Sequence, residues 1–232
     1  MKLVLRKLGW LVAEDFMQRR SERAIPFWFP KDFQRTKSIF VHVPRTGGTS
    51  IGLTLYDRQI PHTTWKTWVE LFPRRCRNYY TFAAVRDPVE KFLSAYDFLK
   101  RGGMNQGDER WAAGQLAEFK KVEDLIEAMA DQEVRKRIYS RWHFVPQSAY
   151  VDAGPGRPGI KLLIPFEHLA EGFEVAAQAL GRDVRLPHLN ASVKSANRSL
   201  SKKHLSILQE LYHRDGEIHR LALEQRDLWP VS

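Results

Sequence analysis

Three short apolar runs stand out against a mixed background. They are Ser-Ile-Phe-Val-His-Val at 38–43, Thr-Phe-Ala-Ala-Val at 81–85 and Lys-Leu-Leu-Ile-Pro at 161–165. Each is short and nearly continuous in its apolar character, which predicts strands buried on both faces. The stretches between them have helical spacing. After Pro88, the residues Phe92, Ala95, Tyr96 and Leu99 fall on one helical face. Ile51 to Tyr56 reads as the start of another helix, 109–141 as two or three helices, Glu167-His168 as the lead into a helix ending near Leu180, and 200–224 as helical. Residues 1–22 predict a further helix, followed by the proline-punctuated aromatic connector Ile25 to Pro30.

Polar and glycine-rich stretches separate these elements. Gln59 to Asn78 is polar, aromatic and basic, and is expected to border a functional site. Arg101 to Gly107 predicts a flexible break, Asp152 to Gly159 a loop, and Val184 to Arg198 an irregular segment. Strands alternating with helices predict an α/β fold, a mainly parallel sheet flanked by helices. A ligand is then expected at the carboxyl ends of the strands. With 232 residues, one domain spanning 1–232 is the simplest organisation, with residues 1–36 as an N-terminal helix and connector packed on it.

The turn after the first run carries the most chemistry. Val43-Pro44-Arg45-Thr46-Gly47-Gly48-Thr49-Ser50 lies between a strand and a helix start. Glycines there let backbone N–H groups approach an anion, and the helix N-terminus adds unpaired donors and a positive dipole end. Arg45 adds a permanent cation, and Thr49 and Ser50 add hydroxyls. This turn is P-loop-like, yet it is not the nucleotide-triphosphatase loop, which needs a lysine after the glycines. The alternative is an ordinary strand-to-helix loop. The second run ends in a comparable way, in Arg86-Asp87-Pro88. Asp87 can cap the next helix and Pro88 suits its first turn. Arg86 and Ser94, about two turns into that helix, could reach a second anionic group.

Together the segments VPRTGGTS and VRDPVEKFLSAY resemble the sulfotransferase superfamily, whose 5′-phosphosulfate loop is usually P-K-T-G-G-T-S and whose 3′-phosphate motif is R-D-P-x-x-R-x-x-S-x-Y. His143 to Gln147 and Pro187 to Ser192 resemble segments of its carbohydrate (type 2) branch. The resemblance covers roughly Lys37 to Leu223. It implies a donor, 3′-phosphoadenosine 5′-phosphosulfate, held by Arg45, Thr46, Gly47, Gly48, Thr49, Ser50, Arg86 and Ser94. It implies sulfuryl transfer to a hydroxyl, most naturally on a saccharide, and no metal. Arg45 and Lys91 depart from the family's usual lysine and arginine but keep the charge. Arg45 can neutralise an oxyanion through planar, forked donation but cannot give up a proton at neutral pH. A base is needed, and His62, in an H-x-T context after the first helix, is the first choice, with Glu70 as runner-up. His143, between Trp142 and Phe144, and Gln147 are candidates for lining the acceptor groove. Lys194 and Arg198 would cover the nucleotide or hold an acidic acceptor, unless they are simply solvated. His42 reads as a packed core histidine.

Charge and cysteine content refine this picture. The formal net charge is +10, which suits an anionic donor but would equally suit nucleic acid or a membrane surface. The basic residues are spread along the chain, and no nucleic-acid partner is expected. Neither C-x-x-C nor H-E-x-x-H occurs, in line with the expectation of no metal. Cys76 is the single cysteine, which fits a reducing, cytoplasmic setting. No apolar run is long enough to span a bilayer. The N-terminal helix is amphipathic and is expected to dock on the protein body, with peripheral membrane contact as its alternative. A P-loop kinase and a non-catalytic polyanion-binding relative remain the competing readings.

Overall fold

A computed structural model describes residues 29–154, 159–187 and 199–229. The expectations for residues 1–22, for Lys194 and Arg198, and for the segment from His188 to Ser192 lie outside these.

All three apolar runs are strands. β1 (Ser38–Val41) and β2 (Tyr80–Val85) pair in parallel, and β2 pairs in parallel with β3 (Leu162–Pro165), in the order β1-β2-β3. The register runs from Ser38 opposite Tyr80 to Val85 opposite Pro165. β1 is completely buried, as is β2 beyond Tyr80, so their sequences are apolar on both faces. β1 is shorter than the apolar run, because His42 and Val43 already belong to the turn.

Helices supply the connections, as parallel pairing requires. α1 (Lys31–Thr36) precedes β1. From β1 to β2 the chain passes through α2 (Gly48–Tyr56), α3 (Trp65–Leu71) and α4 (Pro73–Asn78). From β2 to β3 it passes through α5 (Pro88–Lys100), α6 (Gln106–Gln115), α7 (Val122–Ala128), α8 (Gln132–Tyr139) and α9 (Ser148–Val151). After β3 come α10 (Leu169–Ala179), α11 (Lys202–Leu211) and α12 (His213–Arg226). The helical 200–224 segment is thus two helices, which meet at Tyr212. α5 starts as its sequence dictates: Asp87 Oδ1 accepts from the N–H groups of Val89 and Glu90, each at 3.0 Å, and Pro88 follows.

The glycine-rich stretch before α6 is held in place. Asn105 caps α6 by accepting from Gly107 and Asp108 N–H groups. Buried Asp108 accepts from Met104 N–H at 2.9 Å and forms an ion pair with Arg141. A carboxylate with these partners orders the turn that the sequence alone reads as flexible.

One core unites the sheet with the helices. It joins Phe40, Val41 and Phe82 of the strands to Ile51, Phe92, Ile126, Phe173 and Ile218 of the helices. The edge of β3 is covered as well. Gln225 of α12 accepts a hydrogen bond from Leu163 N–H at 2.9 Å, which satisfies a donor that would otherwise invite another strand. Gly172 lets α10 approach the sheet closely. A Cβ there would lie 2.4 Å from Ile164 Cγ2 and 2.5 Å from Trp229 Cη2. On an open helix surface, glycine to alanine gains about 1 kcal/mol. Gly172→Ala should instead lower stability by about 1–3 kcal/mol through overpacking. Urea unfolding measures this directly, and a more stable variant would contradict the close approach.

Candidate active site

The turn after β1 and the end of β2 lie side by side because the two strands are neighbours. Gly47 takes a left-handed conformation, with φ of 78°, and α2 starts at the next residue. Gly48 lies on the His42 ring, where a Cβ would come within 2.2 Å of Cδ2. Buried Thr46 donates its hydroxyl to Val43 C=O at 2.9 Å, closing the turn. Ser50 is buried and Thr49 partly exposed in the first turn of α2. Arg45 itself has φ of 68°, an arrangement that costs a non-glycine residue about 1–2 kcal/mol. Such strain is found where surrounding structure enforces it.

The strain aims Arg45 at α5. Its Nε and Nη2 both donate to Ser94 Oγ, at 3.1 and 2.9 Å, and its guanidinium lies 4.4 Å from the centre of the Phe98 ring. Arg86 is placed in the same fashion, 4.4 Å from the centre of the Phe166 ring, with Glu90 at 3.6 Å. An aromatic face lies against each cation, and at Arg86 the carboxylates of Glu90, Glu167 and Asp87 also favour the charge. Burial, then Arg86 and Arg101, push the Arg45 pKa down to about 10. Burial also lowers that of Arg86. Both remain cations at neutral pH, and together they repel. An arrangement of this kind stabilises an anion placed between them.

His62 stands on the other side of the turn. Its Nδ1 lies 2.8 Å from the His42 carbonyl oxygen. A carbonyl can only accept, so Nδ1 carries the proton and the basic lone pair of the neutral ring is on Nε2. His42 beneath it donates from Nδ1 to Ile60 C=O at 2.6 Å, and burial pushes its pKa down to about 4. It is therefore a neutral packed histidine. From His62 an unbroken series of contacts leads to the cations. The His62 and Trp142 rings are 5.9 Å apart, Trp142 Nε1 donates to His143 Nε2 at 2.8 Å, and the His143 ring is 5.0 Å from Phe98, on which Arg45 rests. Residues from four separate segments meet in one place.

The Sulfotransferase family model matches residues 33–222. The chain belongs to the sulfotransferase family. No curated protein and no solved structure matches it. In this sulfotransferase, Arg45, Ser94, His62 and His143 are joined by the contacts just described, and Arg86 lies at the end of the neighbouring strand. Two residues are placed differently from expectation. His143 is buried, and its pKa is pushed down to about 2 by burial and then by His62, Arg141, Arg45 and Lys91. It forms a neutral wall behind Phe98. Gln147 is completely buried, with its side-chain amide bonded to the backbone of Arg86, so it does not face a groove. Lys91 is also buried and donates to the carbonyls of His143 and Val145 at 3.2 and 2.8 Å. It holds the chain behind the site. Glu70 is exposed near the end of α3.

Phe98, Phe166 and Asp215 did not figure in the sequence reading. Phe98 lies four residues after Ser94, on its face of α5, and that spacing was the available signal. Asp215 shares the buried stripe of α12 with Ile218 and Ala222, and an acid on an apolar stripe is a comparable signal. Among the described residues no helix is long and apolar enough to cross a membrane.

The two buried histidines predict an acid-side loss of stability. Folded His42 and His143 bind protons only near pH 4 and 2, whereas an unfolded histidine does so near 6.5. Stability is full above about pH 6.5 and falls as pH drops through the window towards 4, because the unfolded chain then binds more protons. His143→Phe should reduce the slope of stability against pH by about 1.4 kcal/mol per pH unit between pH 5.5 and 4.5. Denaturant titrations at several pH values measure this, and an unchanged slope would contradict a neutral buried His143.

Proposed function

We propose that this sulfotransferase transfers a sulfuryl group from 3′-phosphoadenosine 5′-phosphosulfate to a hydroxyl of a saccharide. The observation that carries the donor is the pair of guanidinium groups, Arg45 and Arg86, at the ends of adjacent parallel strands. A nucleotide with anionic groups at both 5′ and 3′ positions offers charge to each. The turn from Thr46 to Ser50 would receive the 5′ group through backbone N–H groups and hydroxyls. Arg86 would take the 3′-phosphate together with Ser94, whose hydroxyl accepts from Arg45. A triphosphate has no use for the second position, and the turn lacks the lysine of a kinase loop.

Sulfuryl transfer then requires positioning, charge stabilisation and removal of one proton. His62 Nε2 accepts the proton of the acceptor hydroxyl as its oxygen forms a bond to sulfur. The bond from sulfur to the 5′-phosphate oxygen breaks in line, and the electron pair leaves with adenosine 3′,5′-bisphosphate. Arg45 stabilises the charge that grows on that phosphate and on the sulfonate, so it contributes most in the transition state. Trp142, next to His62 and partly exposed, is an aromatic residue of the type that suits a sugar ring. A reducing, cytoplasmic setting fits a chain whose single cysteine, Cys76, is buried.

Arg86→Ala removes a charge-assisted contact worth roughly 1.5–3 kcal/mol. Calorimetry should show binding of adenosine 3′,5′-bisphosphate weakened about tenfold or more, with 5′-AMP little changed. Equal weakening of both ligands would remove Arg86 from the 3′-phosphate site. For His62→Ala, transfer from labelled donor to a glycan panel should slow about a hundredfold or more. Donor affinity should stay close to that of the unsubstituted protein, and the acidic limb of the rate profile should vanish, since the imidazole must be neutral to act. A variant that retains both rate and limb would exclude His62, and Glu70→Gln would be measured next.

A further inference from the structure

Arg86 is the first residue beyond β2, where pairing with β3 stops at Val85 opposite Pro165. Its peptide groups therefore need partners outside the ladder. A single side chain supplies both. Arg86 N–H donates to Gln147 Oε1 at 3.0 Å, and Gln147 Nε2 donates to Arg86 C=O at 2.8 Å. Two opposed hydrogen bonds from one planar amide fix the orientation of this backbone, and with it the direction in which the guanidinium leaves.

Gln147 is itself held from two sides. Asp215 of α12 accepts from Gln147 N–H at 2.7 Å and from Ser148 N–H at 2.9 Å. Lys91 of α5 donates to the carbonyls of Val145 and His143. Lys91, Gln147, Ser148 and Asp215 are all no more than 1% exposed. Burial pushes the Lys91 ammonium down to about 8 and the Asp215 carboxyl up, while each charge favours the other. Enclosing two charges costs several kcal/mol per ion before pairing and hydrogen bonds offset it. Here that arrangement lies directly behind the arginine of the second anion site.

We propose that Gln147, anchored by Asp215, is a positioning residue that aims Arg86 and so sets the preference for a 3′-phosphorylated nucleotide. This rests on the reading of Arg86 given under the proposed function. Gln147 touches no ligand. Its effect passes through the Arg86 backbone, and it should change the discrimination between two nucleotides more than the affinity for both.

The test compares Gln147→Leu and Gln147→Glu with the unsubstituted full chain, using adenosine 3′,5′-bisphosphate and 5′-AMP as probes. Leucine keeps much of the volume but offers no amide. The bisphosphate should bind about tenfold more weakly to Gln147→Leu, while 5′-AMP binds as before. In Gln147→Glu at pH 7.5 an ionised carboxylate can accept from Arg86 N–H but cannot donate to its carbonyl. A buried carboxyl regains its proton readily as pH falls. The preference for bisphosphate over 5′-AMP, relative to the unsubstituted chain at the same pH, should therefore be low at pH 7.5 and recover at pH 5.5. A purely architectural role would weaken both probes alike and show no recovery. Either that pattern or an unchanged preference in both variants overturns the proposal. A Gln147→Leu chain that does not fold leaves the decision to the pH recovery of Gln147→Glu. If the unsubstituted chain itself fails to prefer the bisphosphate, the reading of Arg86 falls first, and the two failures are told apart.

Discussion

Two like charges on neighbouring turns define this molecule, and the charge of Arg86 helps to lower the Arg45 pKa. Arg45 and Arg86 sit at the ends of adjacent strands, each against an aromatic ring and each partly withdrawn from water. Their mutual repulsion is a cost to the fold, and the left-handed conformation of Arg45 adds to it. Everything around them serves to impose that placement. The parallel sheet brings the two strand ends together, Gly47 and Gly48 let the turn close over His42, and α5 supplies Ser94 and Phe98 for Arg45 to rest on. A chain stabilises such an arrangement when an anion offsets the repulsion.

The same constraint explains which parts were legible in the sequence. β1, β2 and β3 could be read because strands buried on both faces are continuously apolar. The start of α5 could be read because Asp87 and Pro88 act locally on its first turn. Arg45, Ser94 and Arg86 were singled out because the resemblance rests on two short motifs. What stayed hidden depends on contacts between residues far apart in the chain. Gln147 looks like a groove residue until the backbone of Arg86, 61 positions earlier, is seen against its amide. Lys91 reads only as a retained motif charge until its ammonium is found on the carbonyls of His143 and Val145. The glycine-rich stretch before α6 reads as loose because the ion pair that orders it joins Asp108 to Arg141, 33 positions away.

The histidines show how identical side chains divide their roles by environment. His42 and His143 are buried and kept neutral, and each serves the packing around the site. His62 is only partly buried and has its Nδ1 proton committed to a backbone carbonyl, which leaves proton acceptance to Nε2. The ring contacts from His62 through Trp142 and His143 to Phe98 keep that nitrogen and the Arg45 cation in one rigid assembly. With His62 proposed as the base and Arg45 as the charge stabiliser, a fixed mutual geometry is what a transfer with little covalent chemistry of its own demands.

The central claim is that Arg45 and Arg86 together form the site of one nucleotide with anionic groups at its 5′ and 3′ positions. Calorimetric titration of the unsubstituted protein with adenosine 3′,5′-bisphosphate and, separately, with ATP and Mg²⁺ tests it most directly. The account predicts one bisphosphate per chain, bound at least about tenfold more tightly than ATP with Mg²⁺, a difference of about 1.4 kcal/mol. ATP with Mg²⁺ binding as tightly as the bisphosphate, or no binding of the bisphosphate, would contradict it.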